Sequence, residues 1–247
     1  MKDIRYLPSG ENAITMEFGK TISKDINKKI RQTLQVLKDK KVDGIIDFLP
    51  TYVSILINYD SLKLSFDELV KILEESVPTD DNSTDEKVRL IEIPTIYGKE
   101  YGPDLEFVSK NASLSEDEVI KIHTGTDYLV YMMGFSPGFT YLGGMDERIA
   151  TPRLKTPRLK IPAGSVGIAA NQTGMYPSDS PGGWQLIGRT PIKLFDPNKT
   201  PSVFINAGDY IRYVQIDETK FNEIKDLVDK DEYEVSIKLV DRGELHE

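Results

Sequence analysis

YMMGFSPGFTYLGGMDERIATPRLKTPRLKIPAGSVGIAANQTGMYPSDSPGGWQLIGRTPIKLF, residues 131–195, is the stretch that decides the fold. Within it, residues 134–191 hold ten of the 18 glycines, seven of the 14 prolines and the one tryptophan. Glycine opens backbone conformations closed to other residues, and proline fixes φ and removes an N–H donor. So dense a mixture cannot form a helix, and its Val, Ile, Leu and aromatic content is too high for a disordered linker. The segment reads as short strands joined by individually shaped turns. It is also positive, with seven Arg/Lys against three Asp/Glu in a chain of net charge −9 at pH 7. A rigid, positive, loop-rich segment in an acidic body is a candidate site for an anion.

Upstream of it the pattern changes. Ala13 to Phe18 alternates as a strand. Ile26, Ile30, Leu34 and Leu37 then recur at helical spacing behind Ser23, an N-cap residue. Residues 44–52 and 54–59 read as two strands, the first broken at Pro50. Ser65 opens a second helix with Phe66, Leu69, Val70, Leu73 and Val77 on its apolar face. Strand, helix, two strands and helix fit an α+β sandwich of ferredoxin-like character. Residues 78–87 (PTDDNSTDEK) are polar, acidic and aperiodic, which marks a linker. Two domains are therefore expected, 1–86 and 87–247.

The second domain opens with a strand over 88–96 and a turn at Tyr101-Gly-Pro-Asp. Ser115 with Glu118 is a capping-box signature for a short helix that runs to His123 and stops at Gly125. A strand over 128–133 leads into the Gly/Pro-rich segment. Beyond it come two strands within 202–214, a helix over 217–229 and a last strand over 233–240. Many short strands with few helices indicate a closed or nearly closed β-barrel.

Composition narrows the function. No apolar run approaches the roughly 20 residues of a membrane helix, and the N-terminus lacks the apolar core of a signal peptide. There is no cysteine, so no disulfide framework or thiolate metal site exists, which fits a cytoplasmic protein. The acidic balance argues against general nucleic-acid binding. With His123 and His246 as the two histidines, a metal site is not expected, and His246, near the chain's end, is expected to be mobile. No P-loop motif occurs.

Several residues remain as candidates. Gly134-Phe-Ser-Pro-Gly138 matches G-x-S-x-G, but a nucleophile elbow needs the N–H of the next residue for its oxyanion hole, and Pro137 has none. The motif reads instead as a shaped turn beside an aromatic cluster. His123 either complements a helix C-terminus or serves as a general acid/base or anion contact. Arg153, Arg158 and Arg189 are the anion-binding candidates, able to meet a carboxylate or phosphate bidentately. Trp184 beside Gly182 and Gly183 is either a core residue or a pocket wall where bare backbone approaches a ligand.

The run GFSPGFTYLGG…TPRLKTPRLKIPAGSVGIAANQTGMYPSDSPGGWQLIGRTPIKLFDP resembles the signature of a family that joins KipI, the B-type subunit of 5-oxoprolinase (PxpB) and allophanate hydrolase subunit 1. So do His123-Thr124 before Tyr128-Leu-Val-Tyr, and Asp43-Gly-Ile-Ile-Asp-Phe-Leu-Pro-Thr-Tyr52. The resemblance covers nearly the whole chain. It implies an N-terminal α+β domain followed by a cyclophilin-like β-barrel. It implies a component of an ATP-dependent 5-oxoprolinase, which converts 5-oxo-L-proline to L-glutamate, with ATP bound together with partner subunits. Those partners would be a KipA-type protein, the biotin-dependent carboxyltransferase-like C component of 5-oxoprolinase, and a LamB/YcsF-type A component. On that reading His123 and Arg189 are catalytic. Arg153, Arg158, Ser165, Gln172, Gly182, Gly183 and Trp184 contact substrate or anion. The alternative implied by the same family is a KipI-type inhibitor that binds a sensor histidine kinase and catalyses nothing. A role beside a biotin enzyme in urea carboxylation is a third, without a biotinylation site here.

Overall fold

The computed structural model describes residues 4–78 and 87–246. Residues 79–86 of the expected linker lie outside these. The chain divides into two compact units, Met1–Thr84 and Asp85–Glu247.

The smaller unit runs β1 (Arg5–Pro8), β2 (Ala13–Glu17), α1 (Lys24–Lys40), β3 (Ile45–Pro50), β4 (Ser54–Tyr59) and α2 (Phe66–Glu74). Ser23 caps α1, its hydroxyl accepting from Ile26 N at 3.1 Å. A capping box between Ser65 and Glu68 opens α2. Ile30, Leu34 and Leu37 from α1 and Leu69 and Leu73 from α2 pack on Ile14, Met16, Ile55 and Ile57 of the sheet. The sheet order is β1-β2-β4-β3, all antiparallel. The run β2-α1-β3-β4 has the strand, helix, two-strand order read from the sequence, with one strand more. The strand beside β2 is β1, which comes before this run rather than after α2. Pro50 does not break β3 but ends it, since β3 is an edge strand where a missing N–H costs no ladder bond.

The larger unit holds β5 (Lys87–Tyr97), α3 (Leu105–Ala112), α4 (Glu116–Thr124), β6 (Asp127–Met133), β7 (Thr140–Gly143), β8 (Arg158–Ile161), β9 (Ser165–Ala169), β10 (Gln172–Met175), β11 (Ser180–Gly182), β12 (Gln185–Arg189), β13 (Tyr210–Gln215), α5 (Glu218–Asp229) and β14 (Ile237–Asp241). Its main sheet is ordered β10-β9-β12-β5-β13-β6-β7, with β14 also on β5. β5 is central and buried along almost its whole length. The two ends of the sheet approach each other: a Cβ on Gly174 of β10 would lie 3.4 Å from Thr140 O of β7. The result is a nearly closed β-barrel. Ser115 and Glu118 form the expected capping box, with bonds of 2.8 and 3.2 Å.

Three details differ from the sequence expectation. The expected turn at 101–104 forms, and helix α3 follows it over residues for which the sequence suggested no element. Only β13 forms in the 202–214 region. Val203 and Phe204 pack on the core without strand pairing, and the Phe204 carbonyl accepts from Arg89. The last strand is confined to β14 because 233–236 is coil, where Tyr233 and Val235 pack on the core.

Asp127, at the start of β6, is fully buried at its side chain and takes Arg212 of β13 bidentately, at 2.6 Å to each oxygen. The same residue exchanges two bonds with His246, whose N–H donates to Oδ2 at 2.9 Å and whose carbonyl accepts from Asp127 N at 2.7 Å. His246 is therefore held by its backbone rather than mobile. Among the described residues no helix is long and apolar enough to cross a membrane.

Removing one partner of a buried ion pair leaves the other charge uncompensated. Asp127→Ala is expected to lower the stability of the larger unit by about 3–5 kcal/mol. Urea unfolding followed by circular dichroism measures it, and a loss under about 1 kcal/mol would contradict the burial argument.

Candidate functional site

The candidates divide between the barrel interior and an aromatic cluster at its side. In the interior, His123 from the last turn of α4 is 0% exposed. Its Nε2 lies 2.7 Å from Thr173 Oγ1, and its Nδ1 lies 2.8 Å from Tyr97 OH. Thr173 spends its own proton on Gly167 O at 3.1 Å, so its oxygen accepts from Nε2–H. Nδ1 then accepts from the Tyr97 hydroxyl. The imidazole is neutral, and burial drives its pKa down to about 3. Burial likewise holds the Tyr97 phenol well above its ordinary value. Tyr213 stacks on the ring at 4.4 Å between centroids, and Tyr128 OH donates to the His123 carbonyl at 2.8 Å. The charged histidine at a helix end that the sequence suggested is not what forms. Desolvation outweighs the helix-terminus attraction, and both ring nitrogens are engaged.

The second locus surrounds Tyr176. Phe139, Tyr176 and Trp184 meet edge-on, with centroids 5.8 to 6.1 Å apart, and Ile161, Ala169 and Leu186 complete the cluster. Trp184 is 7% exposed, so of its two readings the structure selects the core. Gly182 has a packing reason: a Cβ there would lie 2.4 Å from Tyr176 OH. The Trp184 backbone bonds to that same hydroxyl, and Arg153 and Arg158 act on it electrostatically; burial is the larger influence and raises the phenol. Gly183 has ordinary room for a Cβ, and its carbonyl accepts from Leu154 N at 2.7 Å. That bond seats the 152–157 loop beside the cluster. The Thr151–Ala170 bridge brings Gln172, just beyond Ala170, near the start of the same loop.

The three arginines fare differently. Arg158 is committed within the chain. Its Nη2 donates to Asp104 Oδ1 at 2.7 Å, while Asp104 Oδ2 accepts from Leu186 N at 2.6 Å. The expectation that Arg158 takes an external anion therefore meets a carboxylate already in place. Arg189, half-buried at the end of β12, donates from Nε to Ala163 O at 3.0 Å and faces Asp179, which pairs with Lys160. It lies in register with Ser165, a buried residue. Arg153 is exposed and forms no ion pair or hydrogen bond among the described residues. The positive charge of the segment is thus largely neutralised, with Arg148 on Asp146 and Lys193 on Asp196 as further pairs.

Sequence reasoning missed Asp104 and Tyr176. Asp104 carried a signal, because an Asp directly before Leu105 and an apolar turn is an N-cap pattern. Tyr176 carried none. Among the described residues no three His, Cys, Asp or Glu side chains come together as metal ligands. A recess of about 380 Å³ lies elsewhere in the larger unit, between Ile192, Phe204, Val228 and Tyr233, and none of the sequence candidates lines it.

Known proteins resemble this chain over most of its length. The family described as carboxyltransferase domain, subdomain C and D, matches residues 4–205. The B-type subunit of 5-oxoprolinase from Bacillus subtilis is 40% identical over 227 residues, spanning 88% of this chain and 95% of the relative. Its counterpart from Escherichia coli O157:H7, of the same name, is 40% identical over 218 residues, spanning 87% and 97%. The crystal structure of TTHA0988 superposes with a TM-score of 0.75 at 31% identity, covering 83% of this chain and 40% of that longer one.

His123 gives a pH signature. Its folded pKa of about 3 lies below the ordinary 6.5, so the unfolded state binds the extra proton in that window. Stability is expected to fall as pH drops from 6.5 toward 3, by up to about 1.4 kcal/mol per unit from this residue. Chemical denaturation of wild type and His123→Gln between pH 6.5 and 5 isolates the effect. Parallel profiles would show that His123 is not held neutral.

Proposed function

The chain belongs to the carboxyltransferase domain, subdomain C and D, family, and on that premise we propose that it is the B-type subunit of an ATP-dependent 5-oxoprolinase complex. The observation that carries this is the 40% identity to two named B-type subunits across nearly their full length. The complex would open the lactam of 5-oxo-L-proline to L-glutamate. Its partners would be a carboxyltransferase-like C component and a LamB/YcsF-type A component. We read the nearly closed barrel as cyclophilin-like. The smaller unit reads as a ferredoxin-like sandwich with its fourth strand moved to the front, and the two domains divide at 86 and 87. ATP use fits a cytoplasmic setting.

The chemistry assigns work to few residues. A lactam is a resonance-stabilised amide, and ATP supplies the phosphoryl group that activates it. The helix N-termini of the described residues offer no free phosphate site. Ser23, Ser65, Ser115 and Asp217 each spend their side chains on the first-turn N–H groups of their helices, and Asp104 places a carboxylate at the start of α3. Phosphates would meet occupied or acidic helix ends here, which supports the reading that ATP is bound together with the partner subunits. The substrate carboxylate needs a cation that is not already paired. Arg153 is the candidate, on the loop that bonds to Gly183 beside Trp184, with Gln172 as a further polar contact. Arg189, tied through Nε alone, is the second candidate, with Ser165 at its side. His123 works as a polar anchor that holds the barrel walls in register, not as an acid or base.

Reconstitution tests this. Glutamate and ADP formation from 5-oxoproline and ATP is measured with all three components and with this chain omitted. Turnover that requires all three is expected. A charge-assisted contact is worth about 1.5–3 kcal/mol, so Arg153→Ala should lower kcat/KM roughly 10- to 100-fold, with Arg153→Lys in between. Full activity of Arg153→Ala would remove the carboxylate assignment. No turnover from folded, associated components would remove the enzyme reading and favour the kinase-inhibitor alternative.

A further inference from the structure

The loop between β6 and β7 holds an aromatic side chain out of the protein at a conformational cost. Ser136 N donates to Gly134 O at 2.7 Å, closing a three-residue γ-turn on Phe135. Phe135 takes φ 65°, the left-handed region that bulky residues avoid. This form of γ-turn is rare and strained. Phe139 N bonds to Ser136 O at 3.0 Å and Gly134 N to Phe139 O at 3.2 Å, so the loop is fixed. The strain yields little burial. Phe135 is 72% exposed and touches the protein chiefly through the edge of Phe139, at 5.5 Å between ring centroids. Glycine would hold this turn without strain, so folding of the chain does not account for a phenylalanine here.

The surroundings point to what does. Phe139 belongs to the interlocked Tyr176–Trp184 cluster, which gives Phe135 a rigid base. The 152–157 loop is bonded to Gly183, next to Trp184 of that cluster, and presents Lys155, exposed and without an ion pair among the described residues. Leu159 follows in β8, 95% exposed, while Ile161 of the same strand packs into the cluster. Two exposed apolar side chains and unpaired cations around one rigid base match the composition of a protein–protein contact, where aromatics are enriched at the core and charges form the rim.

We propose that this surface, centred on Phe135, is where the carboxyltransferase-like C component of the complex docks, presenting an apolar socket for the ring and carboxylates opposite Lys155. The proposal rests on the reading of the chain as one component of a complex. It places Arg153 at the seam, so that the substrate site is completed by the partner. A second copy of this chain is the poorer occupant. Two chains of net charge −9 repel, and a two-fold pairing would set the same cations against one another.

The test is association of the full chain with a purified carboxyltransferase-like C component of the 5-oxoprolinase type, measured by sedimentation and by titration on an immobilised partner. Phe135→Ala and Phe135→Gly are expected to weaken binding at least tenfold. Lys155→Glu should weaken it further at low salt than at high salt. Thermal melting separates docking from folding: Phe135→Gly should melt at or above the wild-type temperature because it relieves the turn. Photo-crosslinking from p-benzoylphenylalanine in place of Phe135 should label the partner, and the same probe at exposed Leu62 should not. Binding of both variants within twofold of wild type would overturn the proposal. So would no association of the wild type, self-association lost on Phe135→Ala, or a melting loss in both variants that accounts for the weaker binding. A complex that turns over normally with Phe135→Ala defeats the docking surface and leaves the enzyme reading intact. A complex that assembles through Phe135 without turnover does the reverse.

Discussion

The hydrogen-bond chain through His123 is the constraint on which the larger unit depends. Tyr97 OH donates to Nδ1, Nε2–H donates to Thr173, and Thr173 donates to Gly167 O. It joins the end of β5, the last turn of α4, β10 and β9, with Tyr213 of β13 stacked on the ring. Every polar atom along this line has its partner, so the low dielectric that would penalise an orphan strengthens each bond instead. A protonated imidazole would have two donors and would break the order of donation. Neutrality of the ring is thus a condition of the barrel's geometry.

The second organising feature is the way the chain spends its own positive charge. Asp104 gathers Arg158 and the Leu186 N–H, which ties the start of α3 to β8 and β12. Arg212 is taken by Asp127, and Arg89 by Asp209 at 3.1 Å. These partly buried guanidinium groups are fixed struts and not receptors. Beside the aromatic cluster, by contrast, Arg153 and Lys155 are exposed and form no ion pair among the described residues, and Phe135 is exposed as well. Function concentrates where the fold leaves chemistry unsatisfied.

Much of this was legible in the residues. The periodicity of α1, the Ser115–Glu118 box, the strand character of β4 and the exclusion of a nucleophile elbow at Ser136 all follow from a few neighbouring positions. The residues named for the site also cluster in part, since Arg153, Arg158, Gly182, Gly183 and Trp184 meet around Tyr176. What could not be read was the state of each. Arg158 and Asp104 are 54 residues apart, and His123 and Thr173 are 50 apart. No local signal says that these side chains will satisfy one another. The missed helix α3 and the missing strand near Phe204 have the same origin, because tertiary packing overrode a weak local preference.

The sequence by itself determined the α+β character and the Gly/Pro-shaped segment, because caps, periodicity and turn residues act over three or four positions, and its long central run carried the membership of a family. Only the tertiary structure decided that His123 is a neutral core group, that Trp184 and Gly182 serve packing, and that Phe135 is held in solvent. Those outcomes depend on burial and on partners far away in the chain. Desolvation and hydrogen-bond satisfaction are properties of the assembled interior, and they exist only once the barrel has closed around them.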